Sequence, residues 1–304
     1  MTGPVPLDVL SASLDGMLKQ VILENPSLSE PQIVNEYIGR LQQHNKYLIW
    51  VRGFGYYRLQ IRSKVVHQKP YALFSSNSGP CNKSRVELGD ILFVIKYHNG
   101  RRMIDQMRTS FLQAKLNKST NNWKISAHQQ EFLFTPSKYP FHFGKRWGSQ
   151  RKRKITSKSK WLFTYLLMST SEDIPNLAAS PEIVELWRQK PCKDYTIPMD
   201  FFVPVIYSTI PSFSGCTWYN KFVCGSYALW LYKFLRKNGI GGYVINNGMT
   251  SNSELKDLVN TIYRFTGLQP DPPSEFEEYY GEGTFGVIEF TFTPVDEREL
   301  RRLE

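Results

Sequence analysis

Residues 85–116 hold the side chains best placed to do chemistry. They read Arg85-Val86-Glu87-Leu88-Gly89-Asp90, an apolar run, a turn, and then Phe111-Leu112-Gln113-Ala114-Lys115. An Asp at the mouth of one buried strand and a Gln-x-Lys in the next can hold a divalent metal beside a phosphodiester. Mg2+ is a hard ion that takes oxygen ligands, usually one or two carboxylates with water and substrate phosphate. Metal-bound water loses a proton more readily, and the metal screens charge building on the phosphate. A fixed lysine adds stabilisation where negative charge develops. Gln113 and Lys115 are two apart, so on a strand they share one face. Gly89 puts no Cβ beside Asp90.

The elements around these residues are legible from periodicity. Leu7, Leu10, Leu14, Met17, Leu18 and Val21 recur at helical spacing, and Asn25-Pro26 ends that helix. Ser29-Glu30-Pro31-Gln32 reads as a capping box with an early proline, opening a second helix to about His44. Residues 47–75 alternate aromatic and β-branched with polar side chains, as strands do. Ile91 to Ile95 is a continuous apolar run, the signature of a strand covered on both faces. His98-Asn99-Gly100-Arg101 is a hairpin signal, and residues 107–116 form the return strand. A two-residue turn there sets Asp90 against Thr109. Setting it against Gln113 takes four more residues, from a loop that includes Arg101 and Arg102 or from a bulge. Ser126 to Gln129 reads as another capping box, with Gln129 as a cap residue, and Trp161 to Met168 as another buried strand. Beyond residue 170 we expect helices at 180–189, 220–237 and 251–265 and a strand at 284–292. The aromatic helix at 220–237 reads as core rather than as a stacking platform. The domain reading is a core over 1–170 and a C-terminal α+β region over 171–304, either a second domain or a completion of the first.

The order helix, strand, strand with Asp, hairpin, strand with Gln-x-Lys, helix, strand resembles the core of the PD-(D/E)XK nuclease superfamily over roughly residues 29–168. That resemblance implies a restriction-endonuclease-like α/β fold, a mixed central sheet flanked by helices, with a mostly helical C-terminal extension or second domain. It implies Asp90 as principal ligand of Mg2+ or Mn2+, Gln113 as second ligand and Lys115 as the catalytic lysine. Glu36, on the second helix, is the expected helper. Gln113 stands where the family usually has an acid, and no proline precedes Asp90. Glu87, three residues away, is the acid expected to reach the same metal or a second one. The bland alternative is a structural Asp90–Lys115 salt bridge at the end of an ordinary hairpin.

Charge points the same way. The 304 residues carry 38 Lys and Arg against 27 Asp and Glu, a net charge of +11, which favours polyanionic partners. Residues 145–160 hold no acid, and Lys145, Arg146, Arg151, Lys152, Arg153 and Lys154 within them are the expected phosphate clamp. The four cysteines (Cys81, Cys192, Cys216, Cys224) form no C-x-x-C pair, so four reduced thiols are expected, with neither disulfide nor zinc. The histidines lack metal-ligand spacing. No signal peptide or membrane span is apparent, so the expectation is a cytoplasmic chain with no membrane partner.

The sequence therefore predicts a metal-dependent endonuclease acting on DNA, with RNA an open alternative. Restriction or anti-phage defence in bacteria is the setting the resemblance implies. A homodimer is expected because cutting two strands takes two sites, and a defence-complex partner is the other option. The rivals are a non-catalytic nucleic-acid-binding protein on the same fold and a basic structural or regulatory subunit of a larger complex.

Overall fold

A computed structural model of the chain describes residues 4–43, 46–66, 70–75, 77–118, 122–143, 151–156, 161–198, 223–268, 284–296 and 300. Its elements, in order, are β1 (Val5–Pro6), α1 (Leu7–Glu24), α2 (Glu30–Gln43), β2 (Lys46–Val51), β3 (Gly55–Val66), β4 (Tyr71–Leu73), β5 (Arg85–Glu87), β6 (Ile91–His98) and β7 (Ile104–Asn117). There follow β8 (Asn122–Ile125), α3 (Ala127–Phe134), β9 (His142–Phe143), β10 (Phe163–Ser169), β11 (Leu177–Ala179), α4 (Pro181–Glu185) and β12 (Tyr195–Pro198). The last are β13 (Val223–Ser226), α5 (Tyr227–Leu235), β14 (Gly242–Asn246), β15 (Met249–Thr250), α6 (Ser253–Thr266) and β16 (Phe285–Pro294).

The architecture is mixed α/β. One 11-stranded sheet runs β1-β2-β3-β16-β6-β7-β10-β11-β13, with β14 and β15 attached through β7. β6 is antiparallel to β7 and parallel to β16, and β7 is parallel to β10. Apolar side chains on the two faces of the central strands feed two separate cores. One joins Leu112, Ala114, Ile288 and Phe290 to α1, α2 and α5. The other joins Phe111, Val287 and Phe163 to α3 and α6. Helices thus cover both faces, which is why β6 reads as an unbroken apolar run rather than an alternating one.

β16 lies between β3 and β6, so chain on both sides of residue 170 builds the same sheet. The expected mostly helical C-terminal part is corrected: among the described residues beyond 170 lie six strands, β11 to β16, beside three helices. The 220–237 helix is shorter than its aromatic spacing suggested. Residues 223–226 extend as β13, and Ser226 caps α5 by accepting from the Leu229 N–H at 3.3 Å. Tyr227, Trp230, Leu231 and Phe234 are buried, as core residues are. The cap of α6 is Asn252, whose Oδ1 accepts from the Leu255 N–H at 2.9 Å.

The hairpin carries the register on which the site depends. The loop is longer than two residues, with Asn99 N donating to Met103 O at 2.9 Å. Asn99 Oδ1 accepts from the Arg101 and Met103 N–H groups, and Arg102 takes φ +59°. A further irregularity falls between Tyr97 and His98. Together they supply the four residues. Ile91 pairs with Leu112, so Asp90 stands against Gln113 rather than Thr109.

Candidate functional site

β6 begins at Ile91, while β7 continues to Asn117, so the last outward N–H groups of β7 meet no β6 partner. Two carboxylates take up a pair of them. Asp90 Oδ2 accepts from Ala114 N–H at 2.8 Å, and Glu30 Oε1 accepts from Leu116 N–H at 2.7 Å. The two N–H groups are two residues apart, which places the carboxylates about 7 Å from each other by the strand repeat. The backbone of Asp90 is tied on both sides, N–H to Leu112 O at 2.8 Å and C=O to Gly286 N–H at 2.9 Å. Gly89 permits that closeness: a Cβ there would lie 3.0 Å from Leu112 O. The group that a Cβ there would crowd is thus the β7 backbone.

Asp90 and Gln113 are both buried, and the Gln113 amide donates Nε2–H to Asp90 Oδ2. Gln113 Oε1 accepts in turn from Gln129 Nε2, which also donates to Glu87 O at 3.4 Å. Gln129 is therefore the third member of an amide chain and not the reciprocal cap expected at the start of α3. The N-terminus of α3 is served instead by Asp194, whose Oδ1 accepts from Ala127 N–H at 2.9 Å. Lys115 Nζ lies 3.8 Å from Glu30 Oε2. Glu30, Asp90, Gln113, Lys115 and Gln129 thus gather where β6 begins, β7 runs on past it and α2 begins.

The donor set suits a hard divalent ion in kind: one buried carboxylate and one amide oxygen within reach of it. In the arrangement seen, the NH2 of Gln113 occupies that side. Turning over the amides of Gln113 and Gln129 together brings Gln113 Oε1 beside Asp90 and lets Gln113 Nε2 donate to Gln129 Oε1. The exchange turns the 3.4 Å bond to Glu87 O into a contact of two acceptors and sets two acceptors together at Asp90, which only a cation between them would relieve. The residues fit an ion on that condition.

Other expected site residues fall elsewhere. Glu36 is exposed and binds Arg40 at 3.2 Å; the acid that α2 presents to the motif is Glu30. Glu87 sits on β5 and its charge acts on His128, whose pKa burial lowers while Asp194 and Glu87 oppose the fall. Among the described residues, Glu30, Glu87 and Asp90 do not bring three carboxylate oxygens within 4.8 Å of one another.

Lys145 and Arg146 lie outside the described residues. Arg153 is corrected from phosphate clamp to core: it is buried, ion-paired to Asp257 and bonded to Thr261 Oγ1 at 3.0 Å, both on α6. Arg151 reaches the same helix, 3.6 Å from Glu254 and 3.7 Å from Asp257. Lys152 and Lys154 are exposed. The four-thiol expectation is also corrected, since Cys81 and Cys192 form a disulfide across 111 residues, Cα to Cα 5.1 Å. Glu131 lies beside it, within 3.7 Å of Lys138 and Arg188.

Sequence reasoning passed over two members of the cluster. Glu30 reads in the sequence as part of a capping box, where Gln32 alone does the capping by accepting from Ser29 N–H at 2.8 Å. Gln129 was likewise assigned to a cap. The available signal was an amide and an acid each placed at the first turn of a helix flanking the motif strands.

No family model, no curated protein and no solved structure matches this chain.

Proposed function

We propose that Glu30, Asp90, Gln113, Lys115 and Gln129 form the active site of a metal-dependent endonuclease acting on DNA, on a restriction-endonuclease-like core. The observation that carries the reading is the direct contact of Asp90 with Gln113 across the β6–β7 register, two residues from a lysine held by Glu30. Asp90 and Gln113 would hold Mg2+ or Mn2+, which when bound supplies a more acidic water and screens phosphate charge. Gln129 sets which face of the Gln113 amide points at Asp90. Lys115 keeps a positive charge where the phosphate oxygens gain negative charge. Glu30, fixed by Leu116 N–H, positions that ammonium. The net charge of +11 favours a polyanionic substrate.

The test is nicking of supercoiled plasmid DNA in Mg2+ by the full chain. Wild type is expected to cut. Lys115→Ala is expected to cut roughly a hundredfold to a thousandfold more slowly, the usual cost of losing one stabilising donor, and Asp90→Ala to fall to background. If both variants cut like wild type, the site is wrong.

One observation favours a second reading, a nucleic-acid-binding protein without catalysis. The chain from Gln129 through Gln113 satisfies Asp90 Oδ2 with no ion. That reading predicts salt-dependent DNA binding by a wild type that does not cut in Mg2+.

A further inference from the structure

A groove of about 760 Å³ lies at the far end of the sheet from Asp90, between the β2–β3 turn and α5. Its walls carry three aromatic side chains, Trp50, Phe54 and Tyr232, and three cations, Arg52, Arg236 and Lys237. Trp50 is 43% exposed and Phe54 46%, so two large rings stand open side by side at the groove. Asp8 is the one acid in the lining.

The wall is fixed in place. Buried Arg108 donates to the carbonyls of Arg236 and Ile240, and Tyr97 donates its hydroxyl to Leu235 O. Lys237 pairs with Asp105 at 3.1 Å and stands 5.1 Å over the Phe54 ring. Arg236 lies 5.6 Å over the ring of Tyr232. Cations just past a helix C-terminus ordinarily serve its carbonyls. Here Arg108 takes the Arg236 and Ile240 carbonyls and Tyr97 takes that of Leu235, so the Arg236 side chain is left to lie on Tyr232 at the groove, while Lys237 is shared with Asp105.

We infer that this groove binds single-stranded nucleic acid, its bases stacking on Trp50, Phe54 and Tyr232 and its phosphates meeting Arg52, Arg236 and Lys237. The exposed rings of Trp50 and Phe54, beside half-buried Tyr232 and interleaved with cations, suit unpaired bases, because stacking accepts any base whose face is free and a duplex hides those faces. Nothing in the lining is a buried polar group able to select one base, so sequence preference is weak. The groove is a separate site: Asp105 and Gln113, eight residues apart on β7, are about 27 Å distant by the strand repeat.

The experiment is fluorescence anisotropy of a short labelled oligothymidylate titrated with the full chain in chelator, where the Asp90 site has no metal. Wild type should bind the single strand more tightly than the same strand in a duplex, with thymidine monophosphate a poor competitor. Trp50→Ala and Tyr232→Ala should each weaken binding roughly tenfold, and Arg236→Ala should reduce the slope of log affinity against log salt by about one contact. Leu186→Ala, an exposed apolar residue elsewhere, should bind as wild type does. Unchanged affinity in Trp50→Ala and Arg236→Ala, or a preference for duplex, would overturn the inference. Asp90→Ala measured alongside keeps the two sites apart: its binding of oligothymidylate should persist whether or not wild type cuts.

Discussion

Two carboxylates are buried in one sheet and are handled in opposite ways. Glu289, mid-strand on β16, meets Lys96 Nζ at 2.5 Å, Arg62 Nη2 at 2.6 Å and the Tyr263 hydroxyl at 2.5 Å. Burial alone would raise its pKa, but Lys96, Tyr263 and Arg62 outweigh that and pull it down to about 2. Asp90, at the mouth of β6, gives its Oδ2 to an amide and a backbone N–H. The nearby ammonium of Lys115 is turned to Glu30. Glu289 is locked in a charge network whose members are fixed on three strands and a helix. Asp90, at the start of β6, accepts from a fixed backbone N–H and from a Gln113 amide that can turn over. A buried acid by itself therefore says little; what holds it separates scaffold from candidate chemistry.

The sharpest way to break that contrast is stability. Glu289→Ala leaves Lys96, Arg62 and Tyr263 without their common acceptor, and should cost about 3–5 kcal/mol in urea unfolding. Asp90→Ala strands one backbone N–H and one amide, and should cost about 1–3 kcal/mol. Equal losses would erase the distinction.

A pH series sharpens it next. Because the folded pKa of Glu289 is depressed, its contribution is present above the unfolded value near 4.5 and is lost as pH falls toward about 2. The stability gap between wild type and Glu289→Gln should therefore narrow across that window and stay flat from pH 5 to 7. A gap that widens on acidification would refute the assignment of the network.

The smallest effect concerns the acids of α2. Glu30→Gln should slow plasmid cutting about tenfold, since a neutral amide holds Lys115 less well by roughly 1.4 kcal/mol. Glu36→Gln removes an exposed pair with Arg40 and should change stability by no more than about 0.5 kcal/mol and leave cutting unaltered. If Glu36→Gln slows cutting and Glu30→Gln does not, the placement of the helper is wrong.

The strands were legible where burial imposed a pattern. Ile91 to Ile95 has to be covered on both faces, and it is. The hairpin register was legible only as a condition, because a longer loop and a bulge together supply the four residues between the Thr109 and Gln113 registers, and local turn preference fixes neither. Glu36 was misplaced for a related reason. Helical spacing puts several acids on one helix, but only the docking of α2 against the end of β7 picks Glu30. Arg153 looked like one more cation in a basic run until Asp257 and Thr261, about a hundred residues away, met it from α6.

The amino-acid sequence by itself determined the periodicities, the apolar runs, the positive charge and the nearness of Asp90 to a Gln-x-Lys, because these depend on residues close in the chain. Tertiary structure alone decided that β16 slots between β3 and β6, that Cys81 meets Cys192, and that Glu30 and Gln129 join the motif. It also decided that Trp50 and Arg236 share a groove. The physical reason is that these contacts are long-range. Each is set by how whole elements settle against two cores at once, and no local preference encodes that outcome.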